Sequence, residues 1–213
     1  VVKKLDVIIS VTPHICERLQ KINPRTFMVT NFPILCEVSK AKAMKEGKVV
    51  FAGGVSDQWS HQYIIKAIEE LSGVTYDIYG KAGGPEYIQK LARLKGWEKV
   101  NYRGFQPFEV VQEEIQTANV AMALCQYSEN TAGRYGTLGN TKLFEAMQLG
   151  VPVIATDFVL WKEIIDKYQC GIYVSPEDVK GIRKAIHYLC TDINAAKKMG
   201  MNGRQAVVKK YNW

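Results

Sequence analysis

Long hydrophobic runs, closely paired cysteines and internal repeats are all missing from this chain of 213 residues. No stretch of about 18 uncharged apolar residues occurs, which excludes a membrane-spanning helix. The five cysteines are widely spaced without a C-x-x-C pair, which favours reduced thiols over a disulfide framework or a zinc site. The absence of a repeat of about 20–50 residues excludes a solenoid.

Two nucleotide-binding fingerprints are also absent. The sequence contains neither G-x-G-x-x-G nor the Walker pattern G-x-x-x-x-G-K-[ST], so nicotinamide dinucleotide binding and ATP hydrolysis lack their main sequence support. The three histidines are scattered, and no His, Cys and Asp cluster has the spacing of metal ligands. We therefore expect neither a cofactor nor a metal.

The charge is placed unevenly along the chain. Hydrophobic residues make up 47% and charged residues 23%, as in a globular domain, and the net charge is +7. Residues 1–48 carry a net +5 and residues 180–213 a net +7, whereas the central body carries −5. An acidic centre argues against nucleic-acid binding. The basic ends fit an anionic membrane surface, a neighbouring domain or simply solvated helix faces.

From Lys48 onward, short apolar runs alternate with helical patterns. The predicted strands are Val49–Ala52, Tyr76–Tyr79, Val100–Arg103, Val120–Leu124, Val153–Ala155 and Ile172–Val174. The predicted helices are His61–Leu71, Pro85–Leu94, Pro107–Thr117, Thr141–Leu149, Leu160–Lys167, about 177–190 and 192–210. This alternation predicts an α/β fold with a Rossmann-like, doubly wound, parallel six-stranded sheet in the order 3-2-1-4-5-6.

The first part of the chain has a different pattern. Asp6–Ser10, Pro13–Lys21 and Thr26–Thr30 predict a strand, a helix and a strand within residues 1–38. Residues 39–47 are predicted to be a linker and residues 48–213 the main domain. The chain begins with Val rather than Met, so we expect a piece of a longer protein.

Ligands of such sheets bind beyond the carboxyl ends of the strands, where the strand order reverses. The loop after the first main strand contains Gly53 and Gly54, which either admit a ligand to the backbone or form an ordinary tight turn. The loop over 128–142 has glycines at intervals of three. It is either a ligand-binding segment or a mobile surface loop.

The helix that follows this second loop predicts an anion site. Asn140 or Thr141 would cap it, and its first-turn amides and dipole would favour a diphosphate. Arg134 and Lys142 would add full positive charges. Glu145, one turn into the helix, would accept hydrogen bonds from neighbouring hydroxyls such as those of a ribose, or else form an ion pair with Lys142.

The segment 137–157, TLGNTKLFEAMQLGVPVIATD, resembles the C-terminal half of GT-B fold glycosyltransferases of the retaining group 1, or family 4, type. Their common form is P-N-K-L-F-E-Y-M-A-A-G-x-P-V-I-A-S/T-D. KVVFAG at 48–53, YDIYG at 76–80, VNYRGF at 100–105 and the YNW ending resemble further segments. The resemblance covers nearly the whole chain. It implies a hexosyltransferase-like enzyme that moves a sugar from a nucleoside diphosphate sugar to an acceptor hydroxyl, in polysaccharide or glycoconjugate synthesis.

The resemblance also implies roles for single residues. Glu145 and Lys142 would be catalytic. The donor-binding residues would be Gly53, Gly54, Phe105, Gln106, Arg134, Gly139, Asn140, Thr141 and Leu143, although the side chain of Leu143 is predicted to face the core. Three features depart from the family pattern. Asn140-Thr141 stands where a glycine-proline pair usually precedes the helix. Thr137 stands where the first glutamate of an E-x7-E motif belongs, and only His61 could replace the basic residue expected after the first glycine loop.

The family pattern places residues 1–38 at the end of an N-terminal domain that binds a sugar or lipid-linked acceptor. We therefore expect this piece to bind the donor without turning it over, in the cytoplasm or against the inner face of the membrane. Two other functions stay open: a non-catalytic nucleotide-sugar or carbohydrate-binding module, and a nucleotide-sugar epimerase.

Overall fold

Strands and helices alternate along the chain in the computed structural model, which describes residues 1–36 and 43–213. The strands are β1 (Ile8–Ser10), β2 (Thr26–Met28), β3 (Lys48–Ala52), β4 (Thr75–Tyr79), β5 (Val100–Gly104), β6 (Val120–Ala123), β7 (Val153–Thr156) and β8 (Gly171–Val174). The α-helices are α1 (Pro13–Gln20), α2 (His61–Ile68), α3 (Pro85–Ala92), α4 (Phe108–Gln116), α5 (Lys142–Gln148), α6 (Val159–Tyr168), α7 (Val179–Thr191) and α8 (Ile193–Lys210).

The main sheet has six parallel strands in the order β5-β4-β3-β6-β7-β8. Counted from β3, this is the predicted order 3-2-1-4-5-6, and the α/β fold class is confirmed. All residues of the central strands β6 and β7 are buried. Helices cover the sheet, so its strands need apolar side chains on both faces, and this explains their continuous hydrophobic runs.

The core is built from aromatic side chains as well as from the strands. Tyr76 on β4, Phe144 on α5 and Trp161 on α6 are all fully buried. The helix α5 packs against α8, and α2 packs against α7. This packing fixes the position of α5 beside the carboxyl ends of β3 and β6.

A separate two-stranded parallel sheet contains β1 and β2. It contacts the main unit through Val11, whose side chain lies beside Gly139, and the following segment places Phe32 edge-on against Phe144, with ring centroids 4.9 Å apart. The strand–helix–strand pattern expected in this region is present. The proposed boundary at 38 and residues 39–42 of the predicted linker lie outside the described residues, so the domain division stays a prediction.

Several element ends differ from the predicted ones by one to three residues. The helix α2 ends at Ile68 rather than Leu71, and Pro107 precedes α4 instead of beginning it. The apolar pattern continues past the end of α2 because Leu71, which follows the turn at 69–70, is still buried. In the described part of the chain no helix is both long and apolar enough to cross a membrane.

Candidate functional site

A cavity of about 470 Å³ opens beyond the carboxyl ends of β3 and β4, beside α5. It brings together several residues that the sequence analysis selected from separate segments. These are Gly53, Gly54, Phe105, Gln106, Thr141, Lys142 and Glu145. The cavity therefore lies at the carboxyl edge of the sheet, on the β4 side of β3, and contains the first of the two predicted loops together with the helix that follows the second.

Gly53 and Lys142 lie directly against each other. Gly53 has a φ of +146°, a conformation that favours glycine, and a Cβ there would lie 2.2 Å from both Cε and Nζ of Lys142. The Gly53 amide donates to the Tyr79 carbonyl at 2.9 Å, which holds the loop to the end of β4. The absence of a side chain at position 53 thus makes room for the lysine.

Lys142 is a shielded cation. Its Nζ lies 4.7 Å from the ring centroid of Trp59 and 5.6 Å from that of Phe51. Burial lowers the pKa of Lys142, and the nearby charge of Glu145 opposes that shift in part. Among the described residues no carboxylate lies within 4 Å of its nitrogen. Such a charge at a cavity wall favours the binding of an anion from outside the chain.

One face of α5 lines the cavity. The side chains on this face recur at the spacing of a helical turn: Thr141, Lys142, Glu145, Gln148 and Leu149. No Lys142–Glu145 ion pair forms within 4 Å in the described part of the chain, so the alternative role suggested for Glu145 is not observed. The side-chain oxygen of Asn140 accepts a hydrogen bond from the Lys142 amide at 3.2 Å, whereas Thr141, at the N-cap position, forms no side-chain cap.

The opposite wall comes from α4 and the end of β4. Phe108, Val111, Gln112 and Ile115 recur at i, i+3, i+4 and i+7 and face the cavity together. The sequence analysis missed them, together with Tyr79, Gly80, Lys81 and Gln148. Their helical period was a usable signal, but an apolar stripe on α4 is equally expected of a helix that packs on the sheet.

Four predicted donor-binding residues do not line the cavity: Arg134, Gly139, Asn140 and Leu143. The Arg134 guanidinium lies 4.9 Å from the ring centroid of Tyr127 and 3.8 Å from Asp157, because the loop turns it toward β7. Leu143 is fully buried in the core, as its position on α5 predicted, so its side chain cannot contact a donor in this structure.

His61 cannot act as the missing cation. It is fully buried, and its Nδ1 lies 3.0 Å from the hydroxyl of Tyr76. Burial, followed by the charge of Lys142, lowers the pKa of His61 to about 3, so it is neutral at physiological pH. The expectation that His61 replaces a basic residue of the phosphate site is therefore wrong.

The glycine-rich loop is packed against α6. The Trp161 indole nitrogen donates to the Thr137 carbonyl at 2.8 Å, and a Cβ on Gly136 would lie 2.5 Å from Phe158. The Thr137 hydroxyl accepts from the Gly139 amide at 2.9 Å. This packing does not support the alternative of an unattached surface loop, and the Thr137 hydroxyl already has a partner within the loop.

Metal ligands were also sought among the described residues. No group of three or more His, Cys, Asp or Glu side chains there could hold a metal ion. The positive charge at the cavity wall comes from Lys142 and, at the end of β4, from Lys81.

A comparison with known families agrees with this geometry. The model of glycosyl transferases group 1 matches residues 37–206. The chain belongs to the group 1 glycosyltransferases. No curated protein sequence matches it as a relative.

Solved structures show that this glycosyltransferase chain shares its fold with part of longer proteins. Sucrose-phosphate synthase from Thermosynechococcus elongatus superposes with a TM-score of 0.80 at 20% identity, over 100% of this chain and 56% of that one. A TarM variant from S. aureus, in complex with fondaparinux, alpha-GlcNAc-glycerol and UDP, superposes with a TM-score of 0.80 at 16% identity, over 99% of this chain and 42% of that one. Anabaena HepE in complex with UDP and glucose superposes with a TM-score of 0.74 at 15% identity, over 97% of this chain and 59% of that one.

Proposed function

We propose that this chain binds a nucleoside diphosphate sugar in the cavity between α4 and α5. The diphosphate would lie against Lys142 and the Gly53 loop, and Glu145 would accept hydrogen bonds from the ribose hydroxyls. The observation that carries the proposal is the shielded Lys142, a cation with no carboxylate within 4 Å among the described residues. A bound diphosphate would supply the missing negative charge.

The same arrangement suits sugar transfer. Breaking the bond between the sugar and the diphosphate builds negative charge on the leaving phosphate, and a fixed cation lowers the barrier to that step. One well-placed donor of this kind is worth about 3–4 kcal/mol. We propose that Lys142 has this role without a metal, and that transfer proceeds with retention at the sugar carbon, in polysaccharide or glycoconjugate synthesis.

We propose transfer for this chain together with an acceptor-binding domain. The chain spans 42–59% of the three solved proteins described above, so the acceptor, a sugar or a lipid-linked sugar, would be bound largely by that further domain. UDP is the first nucleotide to test, because it is named in the TarM and HepE complexes.

Calorimetric titration with UDP, GDP and ADP tests the binding proposal. We expect one nucleotide to bind, and Glu145→Ala to weaken it by about 1.5–3 kcal/mol through loss of a charged hydrogen bond. Glu163→Ala, on the exposed part of α6, is a matched control that should leave binding unchanged. An equal affinity in the Glu145 variant would remove this residue from the site, and no binding of any nucleotide would refute the proposal.

A non-catalytic nucleotide-sugar module is the second candidate. It is favoured by Thr137, which carries no carboxylate and whose hydroxyl already accepts the Gly139 amide. Donor hydrolysis and transfer assays on the chain joined to an acceptor-binding domain distinguish the two functions. The module would bind the donor with no turnover.

We also propose a cytoplasmic location with peripheral contact to an anionic membrane. Exposed lysines on α7 and α8, such as Lys184, Lys197 and Lys198, support it. Sedimentation with vesicles that contain anionic lipid should remove the protein from solution at low salt. Equal sedimentation with neutral vesicles would refute this contact.

A further inference from the structure

The end of the cavity beside the C-terminal turn of α5 holds a buried side-chain oxygen that has no hydrogen-bond partner among the described residues. Gln148 is only 3% exposed and lines the cavity. Its Oε1 is shielded and has no hydrogen-bond partner among the described residues. Turning the carboxamide over would only exchange oxygen for nitrogen at the same shielded place. A buried polar group of this kind is costly unless a ligand atom satisfies it.

Three chemically different side chains follow one another along the same face of α5. Lys142, Glu145 and Gln148 are spaced by three residues and all line the cavity. At about 1.5 Å of rise per residue, the backbone of Gln148 lies about 9 Å along the helix from that of Lys142. The order along the helix is therefore a cation, a carboxylate and a carboxamide.

A nucleoside diphosphate presents matching groups in the same order: an anionic diphosphate, a pair of ribose hydroxyls and the edge of a base. We propose that Gln148 binds the hydrogen-bonding edge of the donor nucleobase and so contributes to base specificity. This inference rests on the proposed donor-binding function. Apolar contacts for the flat faces of the base come from Val111, Ile115 and Leu149, which line the same cavity. Base edges carry donors and acceptors side by side, which matches a carboxamide in either orientation.

The experiment separates the base from the diphosphate. The 213-residue chain, as wild type, Gln148→Met and Gln205→Met, is titrated with UDP, GDP, ADP, CDP and inorganic pyrophosphate. Methionine keeps the length of glutamine without its amide, and Gln205 is exposed on α8, outside the cavity. We expect Gln148→Met to raise the Kd of the preferred nucleotide about fivefold to tenfold while pyrophosphate binding stays unchanged. Gln205→Met should alter neither.

A second readout distinguishes a ligand contact from a structural role. Gln148→Met removes a buried amide whose oxygen is unpaired, so the unliganded variant should melt no lower than the wild type. If it fails to fold, Gln148→Asn, which keeps the amide but shortens its reach, replaces it and should weaken the same nucleotide. Nucleotide affinity that is unchanged, or weakened only in step with pyrophosphate, would overturn the inference while the donor-binding function stands. A wild type that binds pyrophosphate but no nucleotide would overturn both.

Discussion

Replacing Lys142 by methionine tests the electrostatic centre of the cavity. Methionine keeps most of the packing of the alkyl chain over Trp59 and Phe51 but removes the charge. Loss of a charge-assisted hydrogen bond to the diphosphate costs about 1.5–3 kcal/mol, which corresponds to a Kd that is about 10- to 150-fold higher. The two cation–π contacts that disappear are worth about 0.5–2 kcal/mol each, since the lysine is shielded from water. Removal of a shielded charge offsets that loss, so the free energy of unfolding should change little.

Calorimetry with pyrophosphate and the preferred nucleoside diphosphate measures the change in Kd, and denaturant unfolding measures the change in the free energy of unfolding. Lys162→Met is a matched control, because its Nζ also lies over an aromatic ring, that of Tyr173 at 5.2 Å, but outside the cavity. Diphosphate affinity that survives in Lys142→Met, or falls equally in Lys162→Met, would refute the assignment of the cation to the phosphate site.

The same lysine predicts a pH dependence. Burial lowers the pKa of Lys142 in the free protein, and a bound diphosphate would raise it. Affinity is therefore full below the lowered pKa and declines as the pH rises through it, before an ordinary lysine would lose its proton. Titrations over the alkaline range should show this decline in the wild type and not in Lys142→Met.

Two further variants test the surroundings of the site. Gly53→Ala should displace the Lys142 side chain and weaken pyrophosphate binding, and its positive φ should cost about 1 kcal/mol in stability. Gly83→Ala is the control, because a Cβ at Gly83 would lie in open space, and it should change neither binding nor stability. Equal effects of the two variants in calorimetry would contradict the close packing at Gly53. Because the pKa of His61 is lowered to about 3 in the folded chain, acid stabilises the unfolded state, and the free energy of unfolding should fall by about 2 kcal/mol from about pH 7 to about pH 5. In urea titrations, the free energy of unfolding of His61→Leu should no longer show this fall with pH, whereas the control His187→Asn, at an exposed position, should still show it. An unchanged pH dependence in His61→Leu would show that this histidine is not buried in its neutral form.

Much of the fold followed from local patterns in the sequence. The alternation of apolar runs with helical segments predicted all six strands of the main sheet and their order, because a buried parallel strand needs a continuous hydrophobic run and its crossover needs a helix. Gly53, Lys142 and Glu145 were predicted for the same reason, since the topology brings the ends of β3 and β6 together.

The remaining features depend on contacts between distant parts of the chain. Arg134 looked like a phosphate ligand, but packing of its loop on α6 directs it to Tyr127 and Asp157. His61 looked like a possible cation, but its position beneath Phe51 and Tyr76 keeps it neutral. How deeply a side chain is buried and which way it points depend on tertiary packing, and sequence spacing does not determine them.

The sequence by itself determined the strand order, because hydrophobic period acts over a few residues, and its motif segments carried the resemblance to the family. Only the tertiary structure decided which charges face the cavity and added Gln148 and the α4 wall. A helix has several faces, and the choice of the one that meets a ligand is made by what packs against the others.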